Sequence, residues 1–249
     1  MCKPFHAGKA SHNGLLAVRL AARGFSSRPD LVECEQGFAL THGPDFHPEK
    51  ALADPPNVFH ILANLFKYHA ACYLTHGPIE TARAVRAQHG VAPEQIARIT
   101  LKLDRSCDRV CNIPAPTDGL EAKFSLRQTV AMALAGVDTA SLDTYSPATA
   151  NDPRLVELRD RITLDFQDGW PQAAAEIEVA LTDGSVRRAT HDAGVPSADI
   201  AAQGERLAAK FDALAEPVLG SARARELRRA IESLDMLADS GEIARLAAK

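Results

Sequence analysis

The sequence predicts an α+β protein that is helical at both ends and carries its strands in the middle. Three short segments alternate apolar and polar residues in the manner of half-buried strands: Ile99-Thr100-Leu101-Lys102-Leu103, Ile162-Thr163-Leu164-Asp165-Phe166 and Ile177-Glu178-Val179-Ala180-Leu181. Toward the C-terminus, Leu207, Phe211, Leu214 and Val218 recur at steps of four, three and four, and Leu227, Ile231, Leu234 and Leu237 keep a helical spacing. No internal repeat or low-complexity linker interrupts this helix, α/β, helix order.

Taken in chain order, residues 9–23 read as a helix carrying Leu15, Leu16, Val18 and Leu20, with Gly24 as its C-terminal stop. Residues 25–57 have little periodicity; a short helix or turn is expected near Pro29–Glu35, and Pro55-Pro56 breaks the chain. A helix is expected from Val58 toward Phe66, and another over Ile79–His89, with Pro78 suited to its first turn. The strand at Ile96–Leu103 follows. Lys123–Gly136, with Phe124, Val130, Met132 and Leu134, predicts a buried helix, and a shorter one follows Asp152-Pro153. Asp183-Gly184 predicts a two-residue hairpin turn that returns the chain as a strand over Val186–Thr190.

Composition narrows the classes of function. The chain has 249 residues, with 28 Lys+Arg against 32 Asp+Glu and 46% apolar types, ordinary for a globular protein. The net charge of −4 argues against a dedicated nucleic-acid binder, which would carry a basic face. No apolar run approaches the roughly 18–20 residues that cross a bilayer, and no signal-peptide pattern precedes Lys3 and His6. Five cysteines at irregular spacing point to a reduced, cytoplasmic setting. Gly-x-Gly-x-x-Gly, Walker, His-Glu-x-x-His and Gly-x-Ser-x-Gly motifs are all missing. Cys107 and Cys111 have no second pair at zinc-like spacing, so no metal centre is predicted.

Three clusters combine residue types that do chemistry. The first is Lys3-Pro4-Phe5-His6-Ala7-Gly8-Lys9-Ala10-Ser11-His12-Asn13-Gly14. Its lysines suit carboxylates, its histidines titrate near neutrality, and Gly8, read as lying just before a helix, would open the helix N-terminus to an anion. The second is Phe66-Lys67-Tyr68-His69-Ala70-Ala71-Cys72-Tyr73-Leu74-Thr75-His76-Gly77-Pro78. Its lysine needs water or an anionic partner, because burying an unpaired ammonium is costly. The third, Glu121–Ala131, places Ser125 as a helix cap and Lys123 toward a cleft.

In this order, Lys-Pro-Phe-His-Ala-Gly-Lys-Ala, then Phe-Lys-Tyr with Cys and Thr-His, then Ala-Lys-Phe-Ser-Leu, the chain resembles the MmgE/PrpD family. That family includes 2-methylcitrate dehydratase and cis-aconitate decarboxylase. The resemblance extends through Asp152-Pro153-Arg154, the Asp-Gly hairpin and the C-terminal helices. It implies an incomplete all-helical domain formed by residues 1–57 and 195–249, plus a smaller α/β lid over 58–194. It implies a cofactor-free lyase, dehydratase or decarboxylase, acting on a small polycarboxylate such as 2-methylcitrate in the cleft between domain and lid. Matched residue by residue, Lys3 and Lys67 become substrate lysines, and His6 and Cys72 the proton-transfer candidates. Gln128 takes a substrate-side position where many members have Tyr. Two lysines would hold carboxylates while charge develops beside one of them, and an acid would assist loss of a hydroxyl or reprotonate after CO₂ departs.

Family members are about twice this length, and their preceding half supplies an Asp and further His residues. The resemblance therefore leads us to expect a partner: a separately supplied N-terminal half or a homo-oligomer. The alternative is a catalytically inactive remnant that binds carboxylates or a partner protein.

Overall fold

The computed structural model describes residues 5–43, 45–55 and 59–248 in full, and residues 2–4 as backbone only. The chain divides into two units, residues 1–60 and 61–249. The first holds α1 (Cys2–Ala21), α2 (Phe38–His42) and α3 (Pro48–Ala51). Gly24, at φ +85°, closes the turn after α1, as the sequence predicts. The helix itself begins earlier than expected. Gly8 and Gly14 lie inside it, so the reading of Gly8 as an opening before a helix N-terminus is corrected. Pro4 fits a first turn because its missing N–H has no intrahelical partner there. Residues 29–37 form turns, without the short helix allowed for near Pro29.

The second unit is built on one mixed sheet of β1 (Ile96–Asp104), β2 (Ile162–Gln167), β3 (Ala174–Leu181) and β4 (Val186–Asp192), in spatial order β2-β1-β3-β4. β1 runs parallel to β2, with Ile99 opposite Ile162, and antiparallel to β3, with Ile99 opposite Val179. The parallel step needs a crossover, supplied by α5 (Ser106–Cys111), α6 (Gly119–Ala122), α7 (Leu126–Leu134), α8 (Pro147–Ala150) and α9 (Pro153–Asp160). The hairpin between β3 and β4 corrects the predicted two-residue turn. Ala180 pairs with Val186, and the Leu181 N–H donates to the Ser185 carbonyl at 2.8 Å, leaving a three-residue loop. Its last residue, Gly184, sits at φ +84°, the left-handed position such loops require.

The alternation read from the sequence is the burial pattern. Ile99, Leu101, Leu103, Ile177 and Val179 are fully buried, and the residues between them are half-exposed. Against that apolar face packs α4 (His76–His89), which contributes Ile79, Ala82 and Val85 and contacts β3, β4 and α7. α7 follows its N-cap Ser125, whose Oγ accepts from the Gln128 N–H at 3.2 Å, and buries Leu126, Val130, Met132 and Leu134. α4 starts three residues before its predicted position. The expected helix over 58–66 is replaced by a short 3₁₀ turn at His60–Ala63; Val58 lies outside the described residues. Phe59, Ile61 and Leu62 are all exposed, so no buried face stabilises a longer helix there.

The chain ends in α10 (Ile200–Leu219), α11 (Ser221–Glu232) and α12 (Gly241–Ala247). The fold class is α+β. Among the described residues no helix is long and apolar enough to cross a membrane.

Gly77 sets how close α4 comes to the sheet. A Cβ there would lie 2.5 Å from the Ala173 carbonyl oxygen, at the entry to β3. Gly77→Ala is therefore expected to push the first turn of α4 away and cost about 1–3 kcal/mol of stability, read by urea unfolding. An unchanged midpoint would show that this close approach is not needed.

Candidate functional site

Asn64, Leu65, Phe66, Tyr68, His76 and Glu80 form one wall of a cavity of about 240 Å³. Residues 64–68 run without regular structure, a 3₁₀ turn follows at Tyr73–Thr75, and α4 begins at His76. The opposite wall comes from His191 at the end of β4, the loop through Val195 and Ser197, and Gln203 and Arg206 on α10.

A buried polar chain fixes this arrangement. His69 is 1% exposed; its Nε2 lies 2.8 Å from Glu80 Oε1 and its Nδ1 2.7 Å from Thr139 Oγ1. Neutral imidazole with the proton on Nε2 satisfies both contacts, donating to the carboxylate and accepting from the hydroxyl. Burial pushes the His69 pKa down and keeps it in that form, against the pull of Glu80. The same Glu80 oxygen accepts from Arg206 Nη2, and the guanidinium stacks 3.7 Å from the centre of the Tyr68 ring. Burial alone would raise the Glu80 carboxyl. The hydrogen bond from His69, the charge His69 gains once protonated in acid, and the charges of Arg206 and Arg83 outweigh it and hold the pKa at about 2. Lys210, one turn along α10, donates to the Lys67 carbonyl.

His76 stands apart from this chain. Its ring lies 4.9 Å from that of His69 and 5.4 Å from that of Tyr73. It is 2% exposed, lines the cavity, and its Nε2 is buried without a hydrogen-bond partner. Burial, followed by the charges of His69, Lys67 and Lys210, pushes its pKa down to about 3, so the ring is neutral at physiological pH.

The structure distributes the predicted site residues unevenly. Lys67 is exposed and Cys72 half-buried, five positions apart on the same segment. Cys72 donates its N–H to the Lys123 carbonyl at 2.9 Å, and its side chain interacts with the Cys111 thiol. Contact with Cys107 and Cys72, together with burial, pushes the Cys111 thiol up and keeps it protonated. Lys123 faces the Tyr145 ring at 5.3 Å. Gln128 is fully buried: its amide donates to the Thr149 carbonyl at 3.2 Å and accepts from Arg159 at 3.0 Å. It helps to hold α7, α8 and α9 together and does not line the cavity. His6 is exposed on α1, in the other unit. Lys3 lies outside the residues whose side chains are described. Sequence reasoning quoted His69 and His76 within the second cluster but gave neither a catalytic or binding role, and it missed Glu80, His191 and Arg206. Among the described residues, no group of three or more His, Cys, Asp or Glu side chains is placed to hold a metal ion.

The titrations predict acid sensitivity. A buried neutral His76 binds its proton only near pH 3, whereas an unfolded one does so near pH 6.5, so the unfolded chain holds more protons between these values. Stability is complete above pH 6.5 and is expected to fall by about 2–4 kcal/mol by pH 4. Glu80 adds a further loss as pH drops from 4.5 toward 2. Urea unfolding across this range should show the decline, and His76→Gln should flatten its upper part; equal slopes in both proteins would refute the assignment.

The family model described as MmgE/PrpD C-terminal domain matches residues 69–236, which include the sheet, α4 and most of the cavity wall. The chain is also 25% identical over 264 residues to a protein of Aspergillus terreus (strain NIH 2624 / FGSC A1156) named cis-aconitate decarboxylase, covering 96% of this chain and 53% of that one. The chain thus spans about half the length of the curated relative it matches. With the family model covering well over half of its residues, the chain belongs to the MmgE/PrpD family.

Proposed function

We propose that this chain is the lid-bearing part of a lyase that acts on a small polycarboxylate without a cofactor, removing CO₂ or water, and that a helical half completes its site. The observation carrying this reading is the alignment of 96% of the chain with about half of cis-aconitate decarboxylase, together with the ordered Lys3, His6, Lys67 and Cys72 motifs. In this reading residues 58–194 form the lid, and residues 1–57 and 195–249 join the helical domain.

Exposed apolar surface supports the need for further helical packing. α1 buries none of its described residues and presents Phe5, Leu15 and Val18 at 72%, 64% and 68% exposure. In proteins most of a helix's stability comes from packing an apolar face, and α1 covers none of its own. A neighbouring helical half, or a second copy, would cover these residues.

Lys3 and Lys67 then hold carboxylate groups as point charges. Loss of one carboxylate as CO₂ leaves an electron pair on the adjacent carbon, stabilised by the neighbouring lysine, and an acid returns a proton to that carbon. For dehydration, a base removes the proton and an acid protonates the departing hydroxyl. His6 and Cys72 are the proton carriers in either case. Gln128 is left out of this set, because its amide is committed to Thr149 and Arg159.

The reading is tested by combining the chain with a folded MmgE/PrpD N-terminal helical half and measuring CO₂ release from cis-aconitate and dehydration of 2-methylcitrate. Turnover of either is expected. Cys72→Ala should then lower kcat by about 10²–10⁴-fold, the range of a lost acid or base, and Lys67→Ala should chiefly raise KM. Two folded parts with no turnover of either acid would favour a carboxylate-binding remnant instead.

A further inference from the structure

We infer that the cavity between residues 64–68, α4 and α10 is a binding site for a short-chain organic monocarboxylate, with Arg206 and His76 as the groups that take its oxygens. Of the lyase motif residues in this unit, none of Lys67, Cys72 or Gln128 lines the cavity, so the inference does not rest on the lyase reading.

The polar end follows from unmet hydrogen bonding. His76 Nε2 is buried in the cavity wall with no protein partner, a costly state unless something else supplies one. Arg206 presents five N–H groups; among the described residues its one hydrogen-bond acceptor is Glu80, and its plane is held flat by Tyr68. The guanidinium is thus fixed in orientation with donors to spare, while the one carboxylate in the wall, Glu80, is already occupied by His69 and Arg206. Lys67 and Lys210 stand close enough to His76 to act on its titration. An oxygen anion is the ligand that satisfies both Arg206 and an Nε2–H on His76.

The other end follows from the remaining walls. Leu65, Phe66, Val195 and Pro196 suit a short hydrocarbon tail; Asn64, His191, Ser197 and Gln203 are polar, but among the described lining residues no second Lys or Arg joins Arg206 to pair with a second carboxylate. A volume of about 240 Å³ lies below the roughly 300–1,000 Å³ of sites for drug-sized ligands and limits the occupant to a few carbons.

The test is titration of the full chain with butyrate, using butyramide as the uncharged isostere, followed by calorimetry and by the side-chain ¹⁵N signals of the histidines. Saturable binding of butyrate with displacement of the His76 signal is expected, and none with butyramide. Arg206→Gln should weaken binding about tenfold or more, as expected for a lost charge-assisted hydrogen bond. Cys72→Ser should leave binding unchanged, separating this site from the lyase motif. The histidine signals are read on the unmodified protein, so the outcome does not depend on a His76 variant folding. No butyrate binding, equal binding of butyramide, an unmoved His76 signal, or weakening by Cys72→Ser rather than Arg206→Gln would each overturn the inference.

Discussion

The carboxylate of Glu80 is shared by two groups from distant parts of the chain, and the geometry of the cavity depends on it. His69 approaches from the irregular segment before α4, and Arg206 from α10, 126 residues beyond Glu80. One oxygen takes both hydrogen bonds, at a site where the carboxylate is 15% exposed and the guanidinium 40%. The exposure of Arg206 lets solvent screen the ion pair. The histidine side is dry: His69 is buried and held on its other nitrogen by Thr139. Thr139 in turn offers its carbonyl to the Ala70 N–H and the Tyr145 hydroxyl. The orientation of Glu80 is thus set from the core outward, and Arg206 is the adjustable end.

This chain rests on the sheet beneath it. α4 carries both His76 and Glu80, and its position is determined by Ile79, Ala82 and Val85 packing over β3 and β4. Gly77 allows the first turn of α4 to reach the β3 entry, which places His76 against the cavity. The far wall begins where β4 ends, at His191, and is tied back by the Tyr73 hydroxyl donating to the Ala193 carbonyl. Close packing therefore leaves the polar groups little room to rearrange.

Much of this fold is legible in the sequence because sheet burial has a period of two. Leu101 and Val179 are buried where alternation places them, and Ser125 caps α7 as its position predicts. Local signals are weaker where packing decides. The helix expected at 58–66 has suitable residues but no buried face, and Asp183-Gly184 belongs to a three-residue loop because the strand register pairs Ala180 with Val186. The site is less legible still. Lys67 and Cys72 are visible through their motif, whereas nothing near Arg206 in the sequence points to Glu80. Gln128 illustrates the opposite error: a motif position suggested a substrate contact, and the structure gives its amide to Thr149 and Arg159.

The monocarboxylate reading needs α10 held to α4, and the two helices are tied by the Glu80–Arg206 pair. Amide hydrogen exchange along α10 tests that dependence most directly, comparing the unmodified chain with Glu80→Gln. If Glu80 holds α10, the amides around Arg206 and Lys210 will lose protection in the variant while those of β1 and β3 keep theirs. Equal protection of α10 in the two proteins would contradict the account, because the helix would then be held by contacts that do not pass through Glu80.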